Sequence, residues 1–68
     1  MIRMRVKEVA EERGLSMTRL SQRSEVAYNT IKGIYRDPYR QVAYQTLDKL
    51  ARALGVEVSD LVEVVPDK

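Results

Sequence analysis

Two short helical patterns separated by only three residues constrain the fold of this chain more than any other feature. In the first, Ser16 is a favourable N-cap, and small or apolar residues follow at helical spacing, namely Met17, Leu20, Ser21 and Ser24. In the second, the positions that can face inward are Ile31, Ile34 and Tyr35. The two patterns predict helices over residues 17–24 and 28–35, joined by a turn at residues 25–27.

Helical spacing also organises the rest of the chain. Apolar residues recur over residues 4–13, and Gly14 follows where a helix would stop in the left-handed conformation. A second apolar stripe over residues 44–54 is closed by Gly55, and a last short helix is predicted over residues 59–63. The sequence therefore predicts an all-α protein, a compact five-helix bundle that forms one domain over the whole chain.

Valines near the end of the chain offer a different reading of the last segment. Their β-branched side chains favour a strand, and they lie at Val56, Val58, Val64 and Val65. A single strand without a partner would leave its backbone hydrogen-bonding groups unsatisfied. We therefore expect no sheet, unless a second chain supplies the partner strand.

Composition excludes several classes of protein. The chain has no cysteine and no histidine, which removes disulfides, thiol chemistry and the commonest zinc ligands, so we expect neither a metal site nor a cofactor. No acid pair, no nucleophile with a base and no glycine-rich phosphate loop stands at a workable spacing, which argues against an enzyme. No signal-peptide pattern and no run of 18 apolar residues occurs, so we expect a cytoplasmic protein without membrane contact. No small-molecule site is evident.

Charge is distributed unevenly along the chain. Residues 1–52 hold eleven Lys or Arg against six Asp or Glu, a net charge of +5, whereas residues 53–68 hold one Lys against four acids, a net charge of −3. A polyanion should therefore prefer the first part of the chain.

Two helices of about eight residues with a three-residue turn are typical of a helix-turn-helix, whose second helix enters the major groove of DNA. On a helical wheel, one arc of about 140° holds Tyr28, Asn29, Lys32, Gly33 and Arg36. The opposite side holds the core candidates. Asn can pair with adenine, Lys can donate to guanine, and Tyr offers a hydroxyl and apolar area for a thymine methyl. The residues predicted to contact bases are therefore Tyr28, Asn29, Lys32 and Gly33, the last by allowing close approach of the backbone.

Other polar residues flank this helix and are suited to phosphates. Arg19 and Arg23 lie four residues apart on the first helix of the pair, and Arg36 and Arg40 follow the second. Ser16 adds a helix N-terminus able to accept a phosphate. These five residues are predicted to contact the DNA backbone, which fixes register without reading sequence.

Several residues stand at a spacing that extends over nearly the whole chain: Gly14-Leu15-Ser16, Leu20-Ser21, Val26, Ile31, Leu47, Leu50-Ala51 and Leu54-Gly55-Val56. Together they resemble the phage-repressor and Cro type of helix-turn-helix domain, an XRE-like family. The resemblance covers nearly the whole chain. It implies a five-helix bundle in which residues 28–35 form the recognition helix, with Tyr28, Asn29 and Gly33 at positions that commonly touch bases.

Four departures from that family pattern limit what the resemblance implies. Met17 stands where a glutamine usually holds a phosphate, and Glu25 replaces the glycine of the turn. Ala10 and Tyr35 replace a buried arginine and glutamate, for which packing of the ring on the alanine methyl is a plausible substitute. Gly33, inside a helix, costs about 1 kcal/mol.

The sequence thus predicts a sequence-specific double-stranded DNA-binding protein, a transcriptional regulator and more specifically a repressor. A lone module of this size binds weakly, so we expect a homodimer that reads two half-sites about 34–36 Å apart. The acidic, valine-rich segment from residue 56 to residue 65 is the expected dimer contact. The alternative is a protein-interaction module with the same fold, such as an antitoxin or a transcriptional co-regulator.

Overall fold

A computed structural model describes residues 1–66 of the chain. Its elements in chain order are β1 (Ile2–Met4), α1 (Val6–Glu12), α2 (Met17–Ser24), α3 (Tyr28–Arg36), α4 (Tyr44–Leu54), a 3-10 turn (Val58–Leu61) and β2 (Val62–Val64). Within these residues the fold is a bundle of four α-helices, closed at one end by the small sheet.

The predicted helix ends are confirmed where a local signal sets them. The Ser16 side chain accepts a hydrogen bond from the backbone N–H of Arg19 at 3.2 Å, so it caps α2 as expected. Gly14 and Gly55 have φ values of +70° and +72°, the left-handed conformation predicted for them at the ends of α1 and α4. The bounds of α2 and α4 therefore agree with the prediction, and α3 extends one residue further, to Arg36.

The prediction of five helices without a sheet is wrong at both ends of the described chain. β1 pairs with β2 in antiparallel register, with Ile2 opposite Val64 and Met4 opposite Val62. This removes the objection to a lone strand, because the chain supplies the partner strand itself. The helix predicted over residues 4–13 begins only at Val6, since Met4 belongs to the sheet.

The fifth predicted helix, over residues 59–63, is a single 3-10 turn that ends at Leu61. The backbone N–H of Glu57 donates to the Asp60 carboxylate at 3.0 Å, and the Glu57 side chain accepts from the backbone in return. This capping box stabilises one short turn, after which the chain becomes extended at Val62.

The hydrophobic core lies between the helices and beneath the sheet. Its fully buried side chains come from every helix and from the 3-10 turn: Val6, Leu20, Ile31, Ile34, Leu50 and Leu61. α2 packs against both α3 and α4, so the core holds the two helices of the helix-turn-helix at a fixed angle. The face of α3 opposite Ile31 and Ile34 takes no part in this packing.

Tyr35 is half-buried against the core, and its hydroxyl is fully buried without a hydrogen-bond partner among residues 1–66. An unsatisfied buried hydroxyl destabilises a fold, so Tyr35→Phe should raise the free energy of unfolding by about 1 kcal/mol in urea titration. Tyr44→Phe is the matched control, because Tyr44 is 67% exposed and should change stability by less than about 0.5 kcal/mol. A loss of stability in the Tyr35 variant would show that the hydroxyl is satisfied in solution.

The same residue gives a pH dependence. Burial, followed by the charges of Glu11 and Glu8, raises the pKa of the Tyr35 phenol above its ordinary value of 10.0. Because the folded state disfavours the phenolate, ionisation of this group costs no stability below pH 10, and the protein loses stability as pH rises from there toward the folded-state pKa. Tyr35→Phe should therefore lose less stability above pH 10 than the parent protein.

Candidate nucleic-acid interface

The turn between α2 and α3 is fixed by two serine side chains of α2. The Ser24 hydroxyl donates to the Leu20 carbonyl at 2.6 Å and accepts from the Val26 N–H at 3.2 Å. The Ser21 hydroxyl donates to the Val26 carbonyl at 2.7 Å. The helical spacing predicts that both serines face inward, but it does not predict these hydrogen bonds. The sequence signal for them is a hydroxyl group at an inward position, where an apolar residue would be expected, next to a tight turn.

Glu25 has a φ of +61°, and it is the one residue other than glycine with positive φ in the described chain. Its N–H donates to the Ser21 carbonyl at 2.9 Å and closes α2 as a left-handed C-cap. The turn therefore keeps the geometry that a glycine would adopt. Holding Glu25 in the left-handed conformation costs roughly 1–2 kcal/mol of folding free energy. The exposed carboxylate stays at the start of the turn, where α2 ends.

The outward face of α3 carries the side chains predicted to contact bases. Tyr28, Asn29 and Lys32 are all exposed, and Tyr28 presents 41% of its surface. Arg36, predicted to contact a phosphate, is exposed at the end of the same helix. The same helix buries Ile31 and Ile34 completely or nearly so. The structure thus brings these polar residues onto one open face and separates them from the core.

Gly33 differs from the other residues of this face because the Arg40 guanidinium lies directly over it. A Cβ atom built on Gly33 would collide with Nη1 of Arg40. The backbone of α3 is therefore covered at Gly33, and the loop residue Arg40 extends the surface of the recognition face. The Arg40 N–H donates to the Asp37 carbonyl at 3.2 Å, which folds the loop back toward α3. The sequence pattern did not foresee this packing, because it depends on the path of the loop.

The arginines predicted to contact phosphates are exposed and have no carboxylate partner in the described part of the chain. None of Arg19, Arg23, Arg36 and Arg40 forms a salt bridge within residues 1–66. Pairing with Glu25 or Asp37, the ordinary explanation for such charges, is therefore not observed. Ser16 is exposed as well, and since its oxygen accepts from Arg19, its hydroxyl hydrogen stays available for a phosphate oxygen. Met17 is half-buried against the core and offers no substitute for the family's glutamine.

Among the described residues, paired charges lie within α4, where Arg52 donates to Asp48 at 3.0 Å, and at the sheet. Arg3 donates to Glu63 at 2.8 Å and forms a second salt bridge with Glu8. Burial raises the pKa of the Glu8 carboxyl, but the hydrogen bond from Arg3 and the local backbone outweigh it, and the net pKa is lowered. This pair therefore stabilises the fold above the ordinary pKa of a glutamate and loses that effect as pH falls.

Residues 1–66 contain no group of three or more acidic side chains that could hold a metal ion. No helix in this range is both long and apolar enough to cross a membrane.

Comparison with known proteins places this geometry in a family. The model of the Cro/C1-type helix-turn-helix DNA-binding domain matches residues 5–67. No curated protein matches the chain significantly. The matched range contains α1 to α4 and every residue of the exposed α3 face, and the family is a regulatory, non-enzymatic type of domain. This chain therefore belongs to the Cro/C1-type helix-turn-helix DNA-binding domain family.

Proposed function

We propose that the protein is a transcriptional regulator that binds a specific double-stranded DNA sequence with α3 in the major groove. The observation that carries the proposal is the open polar face of α3, where Tyr28, Asn29 and Lys32 are exposed. It is accompanied by four exposed arginines of α2, α3 and the following loop that form no salt bridge within residues 1–66. An ordinary solvent-exposed helix face does not explain why these four arginines lack carboxylate partners among residues 1–66. Family membership supports DNA as the partner.

The residues divide into those that read bases and those that hold the backbone. Asn29 pairs with adenine, Lys32 donates to guanine, and Tyr28 contacts a thymine methyl. Gly33 contributes indirectly, because its missing side chain leaves the space that the Arg40 guanidinium occupies, and Arg40 rather than the Gly33 backbone faces the DNA at this position.

Phosphate contacts fix the register of α3 in the groove. They come from Ser16, Arg19, Arg23, Arg36 and Arg40. Each neutralised phosphate releases a counterion, which makes binding dependent on salt.

Repression is the form of regulation we favour, because a small protein can repress by occupying an operator alone, without a catalytic step. A homodimer in the cytoplasm would read two half-sites about 34–36 Å apart. Each α3 helix would then contact one half-site, and the dimer would bind DNA more tightly than a single module does.

Salt titration of duplex binding tests the proposal. With four arginines on phosphates, log K should fall with log salt at a slope of roughly −3 to −4 per protomer. The preferred site is identified by letting the protein select from a pool of duplexes with random sequence, and an unselected duplex of equal length is the control. A flat salt response with no preferred site would contradict the proposal and favour the alternative, a protein-interaction module such as an antitoxin or a transcriptional co-regulator.

A further inference from the structure

The Arg40 guanidinium occupies the space that a side chain at position 33 would take. A Cβ atom built on Gly33 would overlap Nη1 of Arg40. Apart from the backbone of α3 and the two chain neighbours of Gly33, no other described residue comes within 4 Å of that point. Gly33 is correspondingly half-buried, although it lies on the polar face of its helix. A side chain from the following loop thus stands on α3 where the helix itself has none.

The loop that carries Arg40 is anchored from two sides. The Asp37 carboxylate accepts from the Tyr39 N–H at 3.2 Å, and the Asp37 carbonyl accepts from the Arg40 N–H at 3.2 Å. On the other side, the Pro38 carbonyl accepts from the Met4 N–H at 2.7 Å, which ties the loop to β1. A side chain on an anchored loop loses less conformational freedom on binding than one on a free loop. The position of Arg40 over α3 is therefore built into the fold.

The guanidinium has no protein partner that would explain this position. Arg40 is exposed, and its side-chain donors bind no group within residues 1–66. An alanine at position 33 would favour the helix more than glycine does, but it would displace the guanidinium. Gly33 therefore lowers the stability of α3, and in exchange Arg40 rests on the recognition helix with its donors available to a ligand.

We propose that Arg40 reads a guanine in the major groove by donating to its O6 and N7, in the place of a side chain from position 33. The planar fork of an arginine matches these two acceptors, and it makes the commonest specific contact between a protein and a base. This assignment rests on the proposed function, with α3 in the groove, and replaces the phosphate contact of Arg40 within it. The remaining phosphate contacts are Ser16, Arg19, Arg23 and Arg36.

Gly33 lies one helical turn after Asn29, in the same row of the polar face of α3. Four residues of α-helix advance about 6 Å along the axis, and neighbouring base pairs are stacked about 3.4 Å apart. The guanine read by Arg40 should therefore lie within about two base pairs of the adenine assigned to Asn29. Arg19 and Arg23 differ in position, because they lie on α2, the helix that crosses the DNA backbone in a helix-turn-helix.

Site selection with two variants of equal charge tests this assignment. The parent, Arg40→Ala and Arg36→Ala each select from a pool of random duplexes, and both variants remove one positive charge from an exposed arginine. Arg40→Ala should lose about 5- to 150-fold of the preference for guanine at one base pair. Arg36→Ala should weaken binding to all duplexes alike and select the same site as the parent. An Arg40→Ala variant that also selects the parent's site would overturn the proposal, because that result indicates a phosphate contact.

Gly33→Ala tests the same contact while the arginine is still present. The added methyl group should push the flexible guanidinium off α3 and remove the preference for the same guanine. The midpoint of urea unfolding should rise at the same time, because alanine favours the helix. If both substitutions break one contact, the double variant should discriminate no worse at that base pair than Arg40→Ala alone. Losses that add, or a Gly33→Ala variant that keeps the guanine preference, would overturn the proposal.

The guanine contact and the DNA-binding function can fail separately. In the free protein, NMR should show nuclear Overhauser contacts between a Gly33 Hα and the Arg40 side chain. If these contacts are absent, the proposal is overturned, while DNA binding through Asn29 and Lys32 still stands. A selected site without a guanine within two base pairs of the adenine that Asn29 reads would also overturn the guanine contact alone. A parent protein that selects no site at all would refute the proposed function and the guanine contact together.

Discussion

Ile31→Ala is expected to destabilise the protein by roughly 2–5 kcal/mol, because it removes a fully buried side chain and leaves a cavity. Ile31 lies on the inner face of α3, in the core that holds this helix against α2. A chain of 68 residues has a total stability of about 3–10 kcal/mol, so this one change should remove a large share of it. Urea unfolding followed by circular dichroism measures the effect.

The neighbouring residue provides the control for this prediction. Lys32 is exposed on the opposite face of the same helix, and Lys32→Ala should change stability by less than about 0.5 kcal/mol while weakening DNA binding. Similar losses of stability from both variants would mean that α3 does not bury the face that the structure assigns to the core.

Asn29→Ala is expected to relax base preference at one position of the binding site. A bidentate contact discriminates between bases by about 1–3 kcal/mol, so the variant should lose about 5- to 150-fold of its preference for the selected site over a site changed at that base pair. Affinity for unselected DNA should stay nearly unchanged, because Asn29 carries no charge. Competition titrations with the two duplexes measure the ratio.

Arg23→Ala is the matched comparison on the phosphate side. It should weaken binding to all sequences alike and reduce the salt slope by about 0.9 for each protomer, since one phosphate contact is lost. If Asn29→Ala and Arg23→Ala changed specificity and salt dependence in the same way, the division between base-reading and phosphate-binding residues would be wrong.

The sequence predicted the helix-turn-helix well because its signals are local. Ser16 caps α2 through a backbone N–H only three residues away, and Gly55 ends α4 through its own conformation. The burial of Ile31 and Ile34 follows from the same helical spacing that exposes Asn29. For this reason the open face of α3 could be identified from the residues alone, before any tertiary contact was known.

The features that the sequence did not predict depend on residues far apart in the chain. β1 has only three residues, too few for an alternating pattern to stand out, and its partner strand lies at the other end. The placement of Arg40 over Gly33 depends on how the loop after α3 returns, and the isolation of the Tyr35 hydroxyl depends on packing from several elements. Neither leaves a periodic signal in the sequence.

The pairing of β1 with β2 has a consequence for the order in which the chain folds. It joins Ile2 to Val64, so its formation closes a loop that contains nearly the whole chain. Loop-closure entropy makes such long-range pairing slow compared with helix formation, and we expect the helices to assemble first and the sheet last. The strand pair would then form only in chains whose helix-turn-helix is already folded, so an intact sheet would mark a chain in which folding is complete.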